Sequence, residues 1–311
     1  MLNWLIPGAS TVTQHPIYHF EIQTKRHRRT LQMIFPTTLK WFLIIFAIMT
    51  ALWAFALWNA SQNSYNYYGY YQAYDASQEA IGWFFFIGLA AGLLIDIVGV
   101  LASVGSINRQ LVTGHWDLLR LTTLDNYDII YTKHAVTQIQ AWRMLTVVFS
   151  VRLTTILLFI VQAVFIRYSY SDETLLENFL DEIPHYPFIA VSVVILVILL
   201  MGCYLLEPFW RLRAVTALGM WVSARVRRIS SALLAGFGLI PFIWISQGFI
   251  LYLLYQIIYH LGDRIYTYSD EGIITFFLFW TICFVLIVYA YYAFLKRVGL
   301  ARAAKDAFKP V

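Results

Sequence analysis

The stretch SINRQLVTGHWDLLRLTTLDNYDIIYTKH, residues 106–134, is polar and dotted with charge, while the residues on either side of it are almost wholly apolar. Its flanks decide the fold. A helix needs about 20 apolar residues to cross the hydrocarbon core of a bilayer. Runs of that kind lie on both sides, near 81–104 and 144–167, and recur near 40–59, 187–206, 230–258 and 273–295. Composition agrees, because 60% of the 311 residues are hydrophobic and 13% are charged, where a soluble domain carries roughly a quarter charged residues. The sequence predicts an all-α integral membrane protein with six transmembrane helices, forming one polytopic domain over 1–311. Within it, 1–38 is an interfacial segment, 39–104 holds spans one and two, 105–143 is the polar link, 144–295 holds spans three to six, and 296–311 is a tail.

Loop charge sets the expected orientation, since Lys and Arg concentrate on the cytoplasmic side. Of the 22 basic residues, only Arg152, Arg167 and Arg264 fall outside the N-terminal segment, the second and fourth loops and the tail. The acidic cluster Asp172, Glu173, Glu177, Asp181 and Glu182 lies in a loop of the other set. Both termini are therefore expected in the cytoplasm, in a multi-pass protein of the cell membrane. The net charge of +5 reads as a topology signal and not as a nucleic-acid surface. The first 39 residues, with Pro7, Pro16, Pro36 and a basic cluster, do not read as a cleavable signal peptide. The part HPIYHFEIQTKRHRRTLQMIF, 15–35, mixes apolar and basic residues as an N-terminal interfacial amphipathic helix does, although a plain positive-inside anchor reads equally well.

The fifth apolar region is too long for one straight span and contains Gly236, Gly238 and Pro241. Proline removes a helix hydrogen bond, so a kink at Pro241 is expected, with a re-entrant piece before span six. Charges inside spans are costly and usually face a partner or a cavity. Asp96 in span two and Arg152 in span three lie at similar depth and form a possible intramembrane pair, either as a packing device or as part of a gate. Glu207 reads as a local ion pair with Arg211 at the end of span four. The tyrosines of SYNYYGYYQAYD, 64–75, read as an interfacial belt, with an outer lid as the other reading.

The polar link itself divides near Asp125, which is placed to cap a second helix, with Asp128 in its first turn. Leu111, Leu118 and Leu121 share one face of the first half, and a rigid helix–turn–helix between spans suits a contact that transmits force. Arg109, Gly114, Trp116, Asp117, Leu118, Leu119, Thr122, Leu124, Asp128, Ile129 and Lys133 fit a pattern of Arg-Glu-x-x-Gly-Thr-x-Glu-Leu-Leu, Thr-Pro-Leu, Glu-Ile and Gly-Lys. That pattern resembles the segment after the second span in permease subunits of ABC type-2 exporters. Pro16, Glu21 and Arg28 resemble that family's leading segment, and Ser223, Arg227 and Ala232 the approach to its fifth span. Gln110, Thr123 and Thr132 depart from the pattern, standing where an acid, a proline and a glycine are usual.

The resemblance implies a cytoplasmic coupling helix between spans two and three, docking on a separate ATPase through Arg109, Gly114, Trp116, Asp117, Arg120, Asp128 and Lys133. It also implies a homodimer, or a heterodimer with a related permease, in contact with membrane lipids. ATP and Mg would sit on the partner, because the sequence carries no Gly-x-x-x-x-Gly-Lys-[Ser/Thr] loop; no catalytic residue, cofactor or metal site is expected in this chain. The seven histidines show no metal-ligand spacing, and Cys203 and Cys283 sit in apolar runs. A structural subunit that keeps the permease fold without transporting is the alternative reading, and a polytopic enzyme a third.

Overall fold

The computed structural model describes residues 34–62, 69–112, 125–166, 174–226, 228–265 and 270–308. The described residues form eight helices and no strands: α1 (Ile34–Gln62), α2 (Gly69–Ala90), α3 (Gly92–Val112), α4 (Asn126–Phe165), α5 (Leu175–Glu182), α6 (Pro187–Arg225), α7 (Ile229–Ile265) and α8 (Asp270–Ala307). Six segments are long and apolar enough to cross a membrane, with α2 and α3 together making the second. The chain is a multi-pass membrane protein. Residues 1–33 of the interfacial segment expected before span one and residues 113–124 of the link lie outside the described residues, and 34–38 already belong to α1.

The helices run well past the apolar windows. α4 has 40 residues and α6 has 39, so each is about 60 Å long at 1.5 Å per residue, twice the hydrocarbon thickness of about 30 Å. Span three was expected to begin at 144, and its helix begins at Asn126; span four was expected to end at 206, and its helix ends at Arg225. Arg211 and Arg213 are thus helical, not loop residues. The extensions persist because they keep an apolar stripe of their own. Ile107, Ile129, Ile130, Ala217, Met220, Leu300 and Ala303 close a separate core at one end of the bundle. Hydropathy marks where the greasy surface stops, and a helix with one apolar face continues beyond that point.

This end gathers the C-termini of α3, α6 and α8 and the N-termini of α4 and α7. It carries Arg213, Arg225, Lys296, Arg297 and Lys305 and is called the basic end below. Two clips hold it. The Ser223 hydroxyl donates to the Val104 carbonyl at 2.5 Å and accepts from the Asn108 amide at 2.9 Å, and the Asn108 side-chain amide donates to the Val226 carbonyl. Deeper in the same end, His134 is buried and satisfied by Gln138 at 2.9 Å and Thr216 at 3.0 Å, so it is a core residue.

Two expectations about helix shape change. α7 runs without a break through Pro241 to Ile265, so no re-entrant piece forms among the described residues. One missing hydrogen bond in a helix of 37 residues does not end it when neighbouring helices support both sides. Span two, by contrast, is interrupted at Ala91, where the Leu94 amide reaches back only to the Ala91 carbonyl at 3.1 Å. Asp125 does occupy the N-cap position of α4, but its side chain makes no capping bond. At the far end, Thr174 and Glu177 close a capping box on α5 in the acidic loop.

The central helices α3, α6, α7 and α8 share one core that includes Val100, Val215, Ile243 and Tyr292. α1 is peripheral; Leu52, Phe55 and Trp58 on it are more than half exposed, as lipid-facing side chains are. Small residues let the central helices approach, which is the usual packing device where no water is left to expel. The closest approach to a neighbouring backbone is at Gly299 on α8, where an added Cβ would sit 2.8 Å from Ala217. Backbone cannot yield as a side chain can. Gly299→Ala should therefore cost about 1–3 kcal/mol as overpacking, read as a lower thermal midpoint in detergent. Gly202→Ala, whose added Cβ meets nothing within 4 Å, should leave the midpoint unchanged or raise it.

Candidate functional site

α6 places Glu207 and Arg211 four residues apart, hence on one face. Because α3 and α6 run parallel, the same packing that sets Ser103 against Gly219 brings Asp96 opposite Arg211. Arg211 grips the Asp96 carboxylate with two parallel bonds, Nε to Oδ1 at 2.8 Å and Nη2 to Oδ2 at 2.6 Å. Its remaining nitrogen reaches Glu207 Oε1 at 3.2 Å. Arg152 on α4 completes the chain of charges, with Nη2 2.8 Å from Glu207 Oε2. Two acids and two bases are thus buried as a neutral set, from 0% exposed at Asp96 to 7% at Glu207.

Neutral groups close the set. Tyr292 on α8 donates to Glu207 Oε1 at 2.6 Å, and Trp244 on α7 donates to Asp96 Oδ2 at 2.8 Å. The Trp244 ring also stacks on Arg211, with the guanidinium carbon 4.3 Å from its centroid. The Gln247 side-chain amide lies 3.2 Å from the same Tyr292 hydroxyl. Five helices therefore meet through side chains at one level.

Arg152 also fills two defects in helix backbones. Pro208 has no N–H, so the carbonyl four residues earlier, Tyr204, lacks its helical donor. The Arg152 Nη1 takes it at 2.5 Å. The interruption after α2 leaves the Gly88 carbonyl in a last turn, where intrahelical donors run out. The Arg152 Nε takes that one at 3.0 Å. Gly88 is required there, since an added Cβ would fall 2.1 Å from the Tyr204 hydroxyl and 3.3 Å from Arg152.

Beside this network lies a cavity of about 860 Å³ between α2, α4, α6, α7 and α8. Its walls are apolar, with Ile81, Phe85, Phe159, Leu200 and Leu251 among them. Along α6 the lining runs from Leu200 to Arg211, and along α4 from Ala163 back to Arg152. The charged side chains thus form the end nearest the basic end. The volume lies in the range of small-molecule sites, roughly 300–1,000 Å³, and apolar walls with a few convergent polar groups are their usual make-up. Tyr74, from the tyrosine-rich stretch, is buried and lines the opposite end.

The expected pair of Asp96 and Arg152 is corrected in detail. Both are buried in one network, but Asp96 binds Arg211 and Arg152 binds Glu207. Equal depth was legible in the sequence, and the intervening α6 was not, because the apolar run of span four ends at 206, before Arg211. The Glu207–Arg211 pair is present, although deep in the bundle and not at a wetted boundary. Of the residues implied in coupling, Asp128 is exposed in the first turn of α4 and Lys133 is buried at 1% exposure. Lys133 therefore offers no surface in this fold. Arg109 lies in α3, and Gly114, Trp116, Asp117 and Arg120 lie outside the described residues. Sequence reading missed Tyr292, Trp244, Gln247 and Gly88. The string Glu207-Pro208-x-x-Arg211 carried the signal, an acid and a base one turn apart beside a helix-breaking residue. Among the described residues no group of three His, Cys, Asp or Glu side chains could hold a metal ion.

No family model matches the chain, and no curated protein or solved structure is significantly similar to it.

Removing one partner of a buried ion pair strands the other charge and costs about 3–5 kcal/mol. Asp96→Arg and Arg211→Asp should each lose most folded protein, scored as monodisperse yield and thermal midpoint, and their combination should recover part of it. Combining Asp96→Arg with Arg152→Asp should recover nothing.

Proposed function

We propose that the chain is the membrane permease subunit of an ATP-driven exporter of the ABC type-2 class, moving a substrate through the cavity above the buried charges. It carries no hydrolysis itself and works beside cytoplasmic ATPase subunits, as a homodimer or with a related permease. In this reading both termini and the link between spans two and three are cytoplasmic.

One observation carries the reading. The two helices that bracket the link, α3 and α4, are locked into the basic end by Ile107, Ile129 and Ile130, all fully buried. A contact that receives force needs such anchoring, because a loose loop absorbs motion. From Asn126 the same unbroken helix reaches Arg152, a distance of roughly 39 Å. A push on the link is thereby delivered to the charged end of the cavity. There Arg152 holds both a carboxylate and two helix carbonyls, so a small shift of α4 acts on α2 and α6 together. The motif match at Arg109–Lys133 gives the pushing partner its class.

The test is affinity purification of the tagged full chain from its native cells in mild detergent, with ATP hydrolysis measured on the eluate. A cytoplasmic ATPase should co-purify, and Trp116→Ala with Arg120→Ala should lower its recovery at least about tenfold while the chain stays folded, the loss of a typical pair of interface anchors. Recovery of other membrane proteins with no ATPase, even after cross-linking, would leave the fold serving a structural complex and end the transport reading.

A further inference from the structure

A second cavity, of about 300 Å³, opens at the basic end between α4, α6 and α8. It is separate in chemistry from the apolar one. Arg213, Lys296 and Arg297 line it, together with the aromatic rings of Tyr127, Trp210 and Tyr289, and no carboxylate does. Arg213 and Lys296 are half-buried, so their charges face each other with less water between them than surface residues have. Lys296 also stands 5.9 Å from the centre of the Tyr131 ring, and Trp210 packs edge-on against Tyr289 with centroids 5.4 Å apart. These contacts hold the rims of the cavity in place.

The level matters as much as the charge. Lys296 follows directly on the last apolar window, and Arg213 lies seven residues past the end of its own. Trp210, Tyr289 and Tyr127 are residues with an apolar ring and a polar tip, the kind that settles where headgroups begin. Cations clustered between spanning helices at that level form the usual setting for a phosphate-bearing headgroup. Arginine adds a fork of donors matched to phosphate oxygens, and lysine adds a compact charge.

We propose that this cavity is a binding site for a phosphate anion, held by Arg213, Lys296 and Arg297. Tyr292 forms the wall between it and the buried charges, lining the cavity while its hydroxyl donates to Glu207. An occupied site therefore braces α6 against α8 next to the network, whatever the chain transports.

The phosphate can belong to a lipid headgroup or be free in solution, and one experiment separates them. The full chain in mild detergent is mixed with equal amounts of phosphatidylglycerol and phosphatidylcholine, and retained lipid is read by native mass spectrometry, with and without excess inorganic phosphate. Phosphatidylglycerol should be retained preferentially. Each basic residue beside a membrane anion contributes about fivefold, so Arg213→Gln with Lys296→Gln should lower retention roughly 25-fold. Lys296→Arg should keep it, which separates lost binding from lost folding. Arg225→Gln with Lys305→Gln removes the same charge from exposed positions outside the cavity and should also keep it. Retention that survives inorganic phosphate assigns the site to the lipid headgroup, and displacement by it assigns the site to free phosphate. Equal retention of both lipids with no binding of inorganic phosphate, or an equal loss in the two double variants, would overturn the proposal.

Discussion

Arg211 is the residue on which the bundle turns. Its guanidinium is held by carboxylates from two helices and covered by the ring of Trp244 from a third. An isolated charge at this depth is expelled or neutralised, whereas a charge with every face occupied fixes the helices that supply those faces. The requirement is mutual. Asp96 is tolerable inside α3 only because α6 runs parallel to it and in this register, and a register one turn different would bury two unpaired charges. Apolar packing between helices in lipid gains little from expelling water, so specific polar contacts and close small-residue approaches carry a larger part in choosing one arrangement. Here they coincide: Gly92 lies against Arg211 with 3.2 Å from an imagined Cβ to Nη1, so a side chain there would crowd the guanidinium by a few tenths of an ångström.

That constraint explains how one chain contains both a dry core and a cavity. The charges satisfy one another on the side toward α3 and α8, and on the other side they end a chamber whose walls are phenylalanine and leucine. The helix extensions then close the molecule beyond the charges with a small core of their own. Three layers follow along the bundle axis: an apolar chamber, a charged level and a packed helical foot. The helices on either side of the link between spans two and three, α3 and α4, end in the foot and not in the membrane-spanning layer.

Much of this was legible in the sequence and some was not, for reasons that can be named. Six spans followed from hydropathy, because about 20 apolar residues in a row have few alternatives. Asp96 and Arg152 stood out as charges without an excuse, and both belong to the network. Glu207 and Arg211 stood out only as a local pair at the end of span four, because a window average ends where polar residues begin and cannot tell a helix with one apolar stripe from a loop. Pro241 drew attention as a kink and the helix continues through it, while Pro208 drew none and sets the site. The difference lies in whether a neighbour uses the carbonyl that a proline releases. Such a partner is tertiary, as is Tyr292 reaching Glu207 across 85 residues of sequence.

The two carbonyls held by Arg152 have a consequence for how the bundle can bend. A helix usually flexes at a lone defect on its own, with water or a neighbouring hydroxyl covering the gap. Here one planar cation spans the gap in α2 and the gap in α6 at the same time. Widening either gap strains the bond that covers the other, so the two defects are mechanically coupled through one side chain. Two membrane-crossing segments that share no chain connection at that level are thereby made to move as a linkage, and the geometry of a planar ion sets the coupling between them.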